Sequence, residues 1–276
     1  MKSELQLRVL SGVVMAFLTL TLTWLGGTFF SVFSALIGLL IFYEWSTITA
    51  VKQDRANAIY GWVALLVICL LVSVFAFLWA FAALVIFTAA AWVWAKVRQQ
   101  RYWLPMGIFY AGFSALSLAS IRGDDTAGLI AMLFVFAIVW TTDISAYFVG
   151  RAAGGPKLAP RISPGKTWSG AIGGAFFGTL AGVGVYMLNY PFLGISIVIL
   201  ALSLSVFSQI GDLFESFIKR RFSVKDSGHM IPGHGGIMDR VDGLVFACFA
   251  AFLVASVLDY IFHGGALPIA ATLLNP

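Results

Sequence analysis

A chain of 276 residues that is 61% hydrophobic and only 11% charged lies far from soluble domains, which carry roughly 25% charged residues. Its mean hydropathy of +0.96 excludes a water-soluble core of this length. A net charge of +5 would suggest nucleic acid for a soluble protein, but basic residues also collect in the cytoplasmic loops of membrane proteins, and that reading leaves no nucleic-acid partner.

Lys2 and Arg8 precede the first apolar run as they would in a signal peptide. No Ala-x-Ala cleavage site follows and a second apolar run starts at once, so the first run reads as a retained span. Nine stretches approach the roughly 20 apolar residues that a spanning helix needs: about 8–26, 28–45, 58–75, 77–95, 103–121, 127–149, 169–188, 192–217 and 240–262. The apolar run from Ala58 to Ala95 is too long for one crossing and divides near Ser73–Phe77. The expected fold is therefore an all-α polytopic membrane protein. With nine spans and the N-terminus in the cytoplasm, the C-terminus lies outside, and of the 17 Lys and Arg all but Arg122 fall in inner segments. Such sorting obeys the positive-inside rule and places the chain in the cell's inner membrane. We divide it into N-terminal helices, 1–100, and a catalytic region, 101–276, with cytoplasmic loops at 150–168 and 218–239. Cys69 and Cys248 sit inside apolar runs, so neither a disulfide framework nor a zinc site is supported.

Glu44, beside Trp45 at the inner end of the second span, reads as an interfacial residue. Asp143 differs, because it lies within the sixth span among Thr141, Thr142, Ser145 and Tyr147. A carboxylate near hydrocarbon is costly unless paired, so Asp143 implies a cavity, a cation or a base. The seventh span repeats glycine every four residues at Gly170, Gly174, Gly178 and Gly182, the pattern of a tight helix–helix seam. Asp212, Glu215, Ser216 and Lys219 share one helix face at the inner end of the eighth span, and Asp239 and Asp242 open the ninth on the same side. Carboxylates gathered at one level repel unless they bind cations, and oxygen-only ligands suit magnesium completed by substrate phosphates.

Between those helix ends runs Lys225-Asp226-Ser227-Gly228-His229-Met230-Ile231-Pro232-Gly233-His234-Gly235-Gly236. Its glycines let backbone amides approach a ligand. Lys219, Arg220, Arg221 and Lys225 add positive charge, Arg as a planar fork and Lys as a point charge. Together they describe a site for a metal–polyphosphate, with His234 as a phosphate donor or a backbone cap. The other long loop contains Ser163-Pro164-Gly165-Lys166-Thr167, which resembles the end of a phosphate-binding P-loop. Pro160 stands where that loop requires glycine and no strand is expected before it, so a P-loop fold is rejected. Lys166 and Thr167 are still expected to face phosphate, and Lys157 and Arg161 to meet anionic headgroups.

From Ser216 to Asp242 the chain reads Ser-x-apolar-Lys-Arg, four residues, Lys-Asp-x-small, two residues, apolar-Pro-x-His-Gly-Gly-apolar-x-Asp-Arg-apolar-Asp. That pattern resembles the signature of the phosphatidate cytidylyltransferase (CDP-diacylglycerol synthase) family, as do the stretches Trp140 to Gly150 and Lys157 to Gly170, with a departure at Ser169. The resemblance implies nine spans, a homodimer in membrane lipid, and a reaction of CTP with phosphatidate that yields CDP-diacylglycerol and pyrophosphate. It implies Mg2+, alone or with a second cation, on Asp212 and Asp239, with Asp143 and Asp242 supporting that site and Lys219 holding phosphate. Ser216 joins Asp143, Lys219 and Asp242 as a catalytic candidate. Lys157, Lys166, Thr167, Arg220, Lys225, His234, Gly235, Gly236 and Arg240 are the substrate-binding candidates. The rival readings are a transporter or channel built around the intramembrane carboxylate, and a related enzyme that uses another lipid phosphate.

Overall fold

The computed structural model describes residues 2–231, 235–265 and 267–274. Helices dominate it: α1 (Lys2–Leu25), α2 (Gly27–Ile48), α3 (Arg55–Ser73), α4 (Phe77–Val97), α5 (Trp103–Arg122), α6 (Thr126–Ala153), α7 (Trp168–Met187), α8 (Ile195–Arg221), α9 (Met238–His263) and the short α10 (Ile269–Leu274). Among the described residues, the eight helices α2 to α9 are long and apolar enough to cross a bilayer. The apolar part of α1, Val9–Leu25, sits at the low end of the spanning range of about 17–25 residues. The protein is thus an integral membrane protein of all-α type. The long apolar run divides where expected, with α3 ending at Ser73 and α4 beginning at Phe77. The break is a turn in which Phe75 takes a left-handed φ of 60°.

One expected loop is structured. After α6 ends at Gly154 and Gly155, whose φ values of 62° and 100° no helix can continue, strands β1 (Lys157–Ala159) and β2 (Ser163–Thr167) form an antiparallel hairpin that pairs Lys157 with Thr167 and Ala159 with Ser163. A strand therefore carries Lys166, in a hairpin rather than a P-loop.

The chain forms two compact units. The first comprises Met1–Ala119 and Phe222–Arg240, the second Ser120–Arg221 and Val241–Pro276. In the first unit, small residues bring α2 and α5 together. A Cβ on Gly38 would stand 2.8 Å from the Ala111 carbonyl oxygen, so only glycine permits that approach. Trp45 is fully buried and its indole Nε1 donates to the Trp103 carbonyl at 2.9 Å.

In the second unit, α7 lies along α6. Gly170, Gly174, Gly178 and Gly182 are all buried and face, in order, the Ala146 carbonyl, the Thr142 carbonyl, the Ile138 carbonyl and the Ile138 side chain. The glycine seam is as the four-residue spacing predicts. Thr142 and Ser205 join α6 to α8 through a hydroxyl–hydroxyl bond of 2.6 Å. Gln209 of α8 donates to the Ala171 carbonyl of α7 at 3.2 Å. Gly211 of α8 lies against the Asp242 carbonyl and Phe246 of α9.

Candidate active site

Four charged side chains converge in the second unit from four elements. Lys166 Nζ, carried by β2, pairs with Asp212 Oδ2 of α8 at 2.5 Å. Asp143 of α6 feels the charges of Asp212 and Lys166, and Asp242 of α9 feels those of Asp212, Asp143 and Lys166. Ser216, one turn beyond Asp212, donates its hydroxyl to Asp212 Oδ1 at 3.4 Å. Each position has a local cause. The Gly154–Gly155 stop lets the hairpin turn back, and Gly211 allows α9 to come against α8 beside Asp212. The Asp242 carboxylate is steadied by the Gly243 amide at 2.8 Å.

The cluster is accessible, with side-chain exposures of 27% for Lys166 and 34% for Asp212. Three carboxylates face one lysine, so the ionised cluster carries an excess of negative charge that repels itself without a further cation. Among the described residues, no group of three or more His, Cys, Asp or Glu could by itself hold a metal ion. Such a cluster is not a closed protein cage. It suits a hard cation that takes one or two carboxylates and completes its shell with water and phosphate oxygens.

Other candidates of this unit have partners of their own or serve the backbone. Lys219 Nζ pairs with Glu215 Oε2 at 2.6 Å, and Glu215 is buried. Thr167, expected to face phosphate, is instead a buried helix cap: its Oγ1 accepts from the Gly170 amide at 3.1 Å. An N-terminal helix amide needs such an acceptor, and α7 begins directly after the hairpin. Ser169 donates to the Gly154 carbonyl. Arg220 is exposed and its Nε reaches the Ile162 carbonyl at 3.4 Å, while Lys157 is exposed on β1.

The first unit holds a second set of carboxylates. Asp239 Oδ2 accepts from the Ser227 amide at 2.8 Å, the Ser227 hydroxyl at 2.8 Å and the Gly236 amide at 2.9 Å. Glu44 accepts from the Ile237 amide at 2.8 Å and the Met238 amide at 2.8 Å, and its Oε2 lies 2.9 Å from the Ser227 hydroxyl, whose single proton it shares with Asp239. Glu44 is 1% exposed, which corrects its reading as an interfacial residue. The sequence shows the acid at the end of an apolar span, where headgroups would solvate it, but not the distant loop that supplies its donors. Ser227 carries no signal of this role in the sequence, because nothing local distinguishes it from any turn serine. Gly235 has a φ of 81° and its carbonyl accepts from the Ile231 amide at 2.9 Å, while Gly236 is buried. Lys225 and Arg240 are exposed. His234 lies outside the described residues.

The sequence model of the cytidylyltransferase family matches residues 6–258. A Brucella abortus protein named phosphatidate cytidylyltransferase is 47% identical over 262 residues, covering 92% of this chain and 94% of its own. Proteins of the same name from Bacillus subtilis and Haemophilus influenzae are 33% and 31% identical. They cover 91% and 88% of this chain, and 98% and 96% of their own. The family match reaches into both units and takes in every charged residue of the candidate site, and the chain therefore belongs to the cytidylyltransferase family, in its phosphatidate cytidylyltransferase branch.

Proposed function

We propose that this protein transfers the cytidylyl group of CTP to phosphatidate, forming CDP-diacylglycerol and releasing pyrophosphate in phospholipid biosynthesis. The observation that carries this reading is the convergence of Asp143, Asp212 and Asp242 on Lys166 in a chain related over nearly its whole length to phosphatidate cytidylyltransferases. A phosphatidate oxygen bonds to the α-phosphorus of CTP, and the bond from that phosphorus to the oxygen shared with the β-phosphate breaks. The nucleophile needs no general base, because a phosphate monoester loses its second proton near pH 6 (about 6 for phosphorylated side chains). Two anions must meet, so the protein's tasks are charge balance and alignment.

Lys166 is placed to hold a phosphate oxygen, and the hairpin keeps its ammonium beside Asp212. Asp212, supported by Asp143 and Asp242, would hold magnesium in the second unit; in the first unit, considered by itself, Asp239 is an oriented carboxylate that would serve a cation. When bound, that ion supplies neutralisation of phosphate charge. Ser216 holds one oxygen of Asp212 and so limits how that carboxylate turns. The sorting of Lys and Arg supports an active site on the cytoplasmic face of the inner membrane, and the family resemblance supports a homodimer.

Purified protein in detergent, given Mg2+, CTP and phosphatidate, should release pyrophosphate and form CDP-lipid in equal amounts. Failure to form CDP-lipid would sink the proposal. Replacing phosphatidate with an isoprenoid-ether lipid phosphate, and CTP with dCTP or ATP, distinguishes the related nucleotidyltransferases. Light scattering of the same sample reads the oligomeric state.

A further inference from the structure

We infer that Glu44 is a positioning residue for Asp239. From α2 it grips the turn that leads into α9 and so sets where the Asp239 carboxylate stands. The inference rests on the reading of Asp239 as a carboxylate that serves the cation, and every group in it belongs to the first unit.

A carboxylate that is 1% exposed in an apolar helix is tolerated only if its oxygens are satisfied. Glu44 meets that condition with donors from a segment 183 to 194 residues away. Two of them, the Ile237 and Met238 amides, are helix-start donors that have no partner within a helix and carry the positive end of its dipole. A residue of another helix thus caps α9, where a local side chain would ordinarily do so. The third donor, the Ser227 hydroxyl, lies 2.9 Å from Glu44 Oε2 and 2.8 Å from Asp239 Oδ2. One hydroxyl therefore couples the two carboxylates, and Glu44 and Asp239 take their donors from the same short stretch.

Two glycines show that the seat is shaped around Glu44. A Cβ on Gly228 would stand 2.7 Å from Glu44 Oε1, and one on Gly236 would stand 2.5 Å from both Glu44 oxygens. At Gly236 a Cβ would meet the Ser227 hydroxyl more closely still, so a side chain at either position would displace the Glu44 carboxylate, the Ser227 hydroxyl or both. The Gly236 amide that this approach brings in is itself a donor to Asp239. Glu44, Ser227, Gly228 and Gly236 together form the support of Asp239, and outer-shell partners of this kind tune metal affinity by about 10- to 100-fold.

The test is Mn2+ binding to the full-length protein in detergent, read by electron paramagnetic resonance without nucleotide or lipid. It is run for the wild type, Glu44→Gln, Ser227→Ala, Asp239→Asn and the Glu44→Gln/Asp239→Asn double variant. Glu44→Gln should weaken Mn2+ by about tenfold or more, and raise the Mg2+ concentration for half-maximal activity in parallel. It should change nothing further in the Asp239→Asn background, since residues acting through one group are not additive. Ser227→Ala leaves Glu44 its two amides and should give a smaller loss in the same direction, which keeps the test open if Glu44→Gln fails to fold. Wild-type Mn2+ affinity in a folded Glu44→Gln protein, or full additivity with Asp239→Asn, would reduce Glu44 to a structural cap and overturn the inference. Unchanged Mn2+ binding in Asp239→Asn alone would instead remove Asp239 from the cation site, and the inference with it.

Discussion

Lys166 and Asp212 meet at 2.5 Å, and the chemistry proposed for the second unit turns on that pair. Asp212→Asn should abolish CDP-lipid formation while the protein still inserts and purifies normally, and Asp239→Asn should do the same. Substantial turnover in either variant would take that residue out of the metal site. Lys166→Met removes a positive charge aimed at phosphate and should lower kcat by roughly 100-fold, the scale for losing one preorganised donor. Arg at position 166 should not restore the rate, because a planar fork is not a substitute for a point charge; steady-state assays of both variants check this. Asp143, Asp212 and Asp242 could be singled out from sequence, because a carboxylate within or at the end of an apolar span carries an energetic cost that demands a reason. Glu44 carries the same cost but could not be interpreted, because its donors are set by tertiary contact.

At the scale of elements, the α6–α7 seam rests on glycines. A Cβ on Gly178 would stand 3.0 Å from the Ile138 carbonyl and 3.2 Å from Ser205 Oγ, so Gly178→Val should destabilise by about 1–3 kcal/mol through overpacking. Thermal unfolding in detergent should show the loss, and an unchanged Tm would mean that α7 can move away from α6 at no cost. Helix α3 starts at a cap of a different kind. The Asn57 amide donates to Asp54 and, with the Gln100 side chain, holds its carboxyl below the usual aspartate range. A group whose pKa is depressed by folding stabilises the fold above its unfolded value and loses that contribution as the pH falls through its folded value. The Tm difference between wild type and Asp54→Ala should therefore be largest near neutrality and close as the pH drops below about 4. A difference that does not shrink at all as the pH falls well below that range would show that the carboxylate charge plays no part.

At the scale of the molecule, the proposed orientation predicts which loops face the cytoplasm. Cys69 and Cys248 are both buried, so a single added cysteine can be read by labelling with an impermeant maleimide. Arg161→Cys, at the hairpin turn, should react only from the cytoplasmic side. Phe192→Cys, between α7 and α8 and 85% exposed, should react only from outside. The reverse pattern would invert the assigned topology and the proposed access of CTP.

Apolar run length is a local property, so helices α2 to α9 could be placed from sequence to within a few residues, including the break between α3 and α4, whereas the short α10 could not. The same is true of the glycine seam, whose four-residue spacing names a helix face without a partner structure, and of the signature from Ser216 to Asp242 that marks the family. Only the tertiary structure decided that residues 150–168 contain a hairpin, because the chain can turn back into it only after Gly154 and Gly155 take left-handed φ values that stop α6. It alone set Lys166 on Asp212, made Thr167 a helix cap and buried Glu44 under the turn that leads into α9 and Asp239. These facts depend on donors and acceptors far apart in the chain, as much as 194 residues for Glu44 and Met238. Periodicity and composition report what each segment needs, and folding determines which distant segment supplies it.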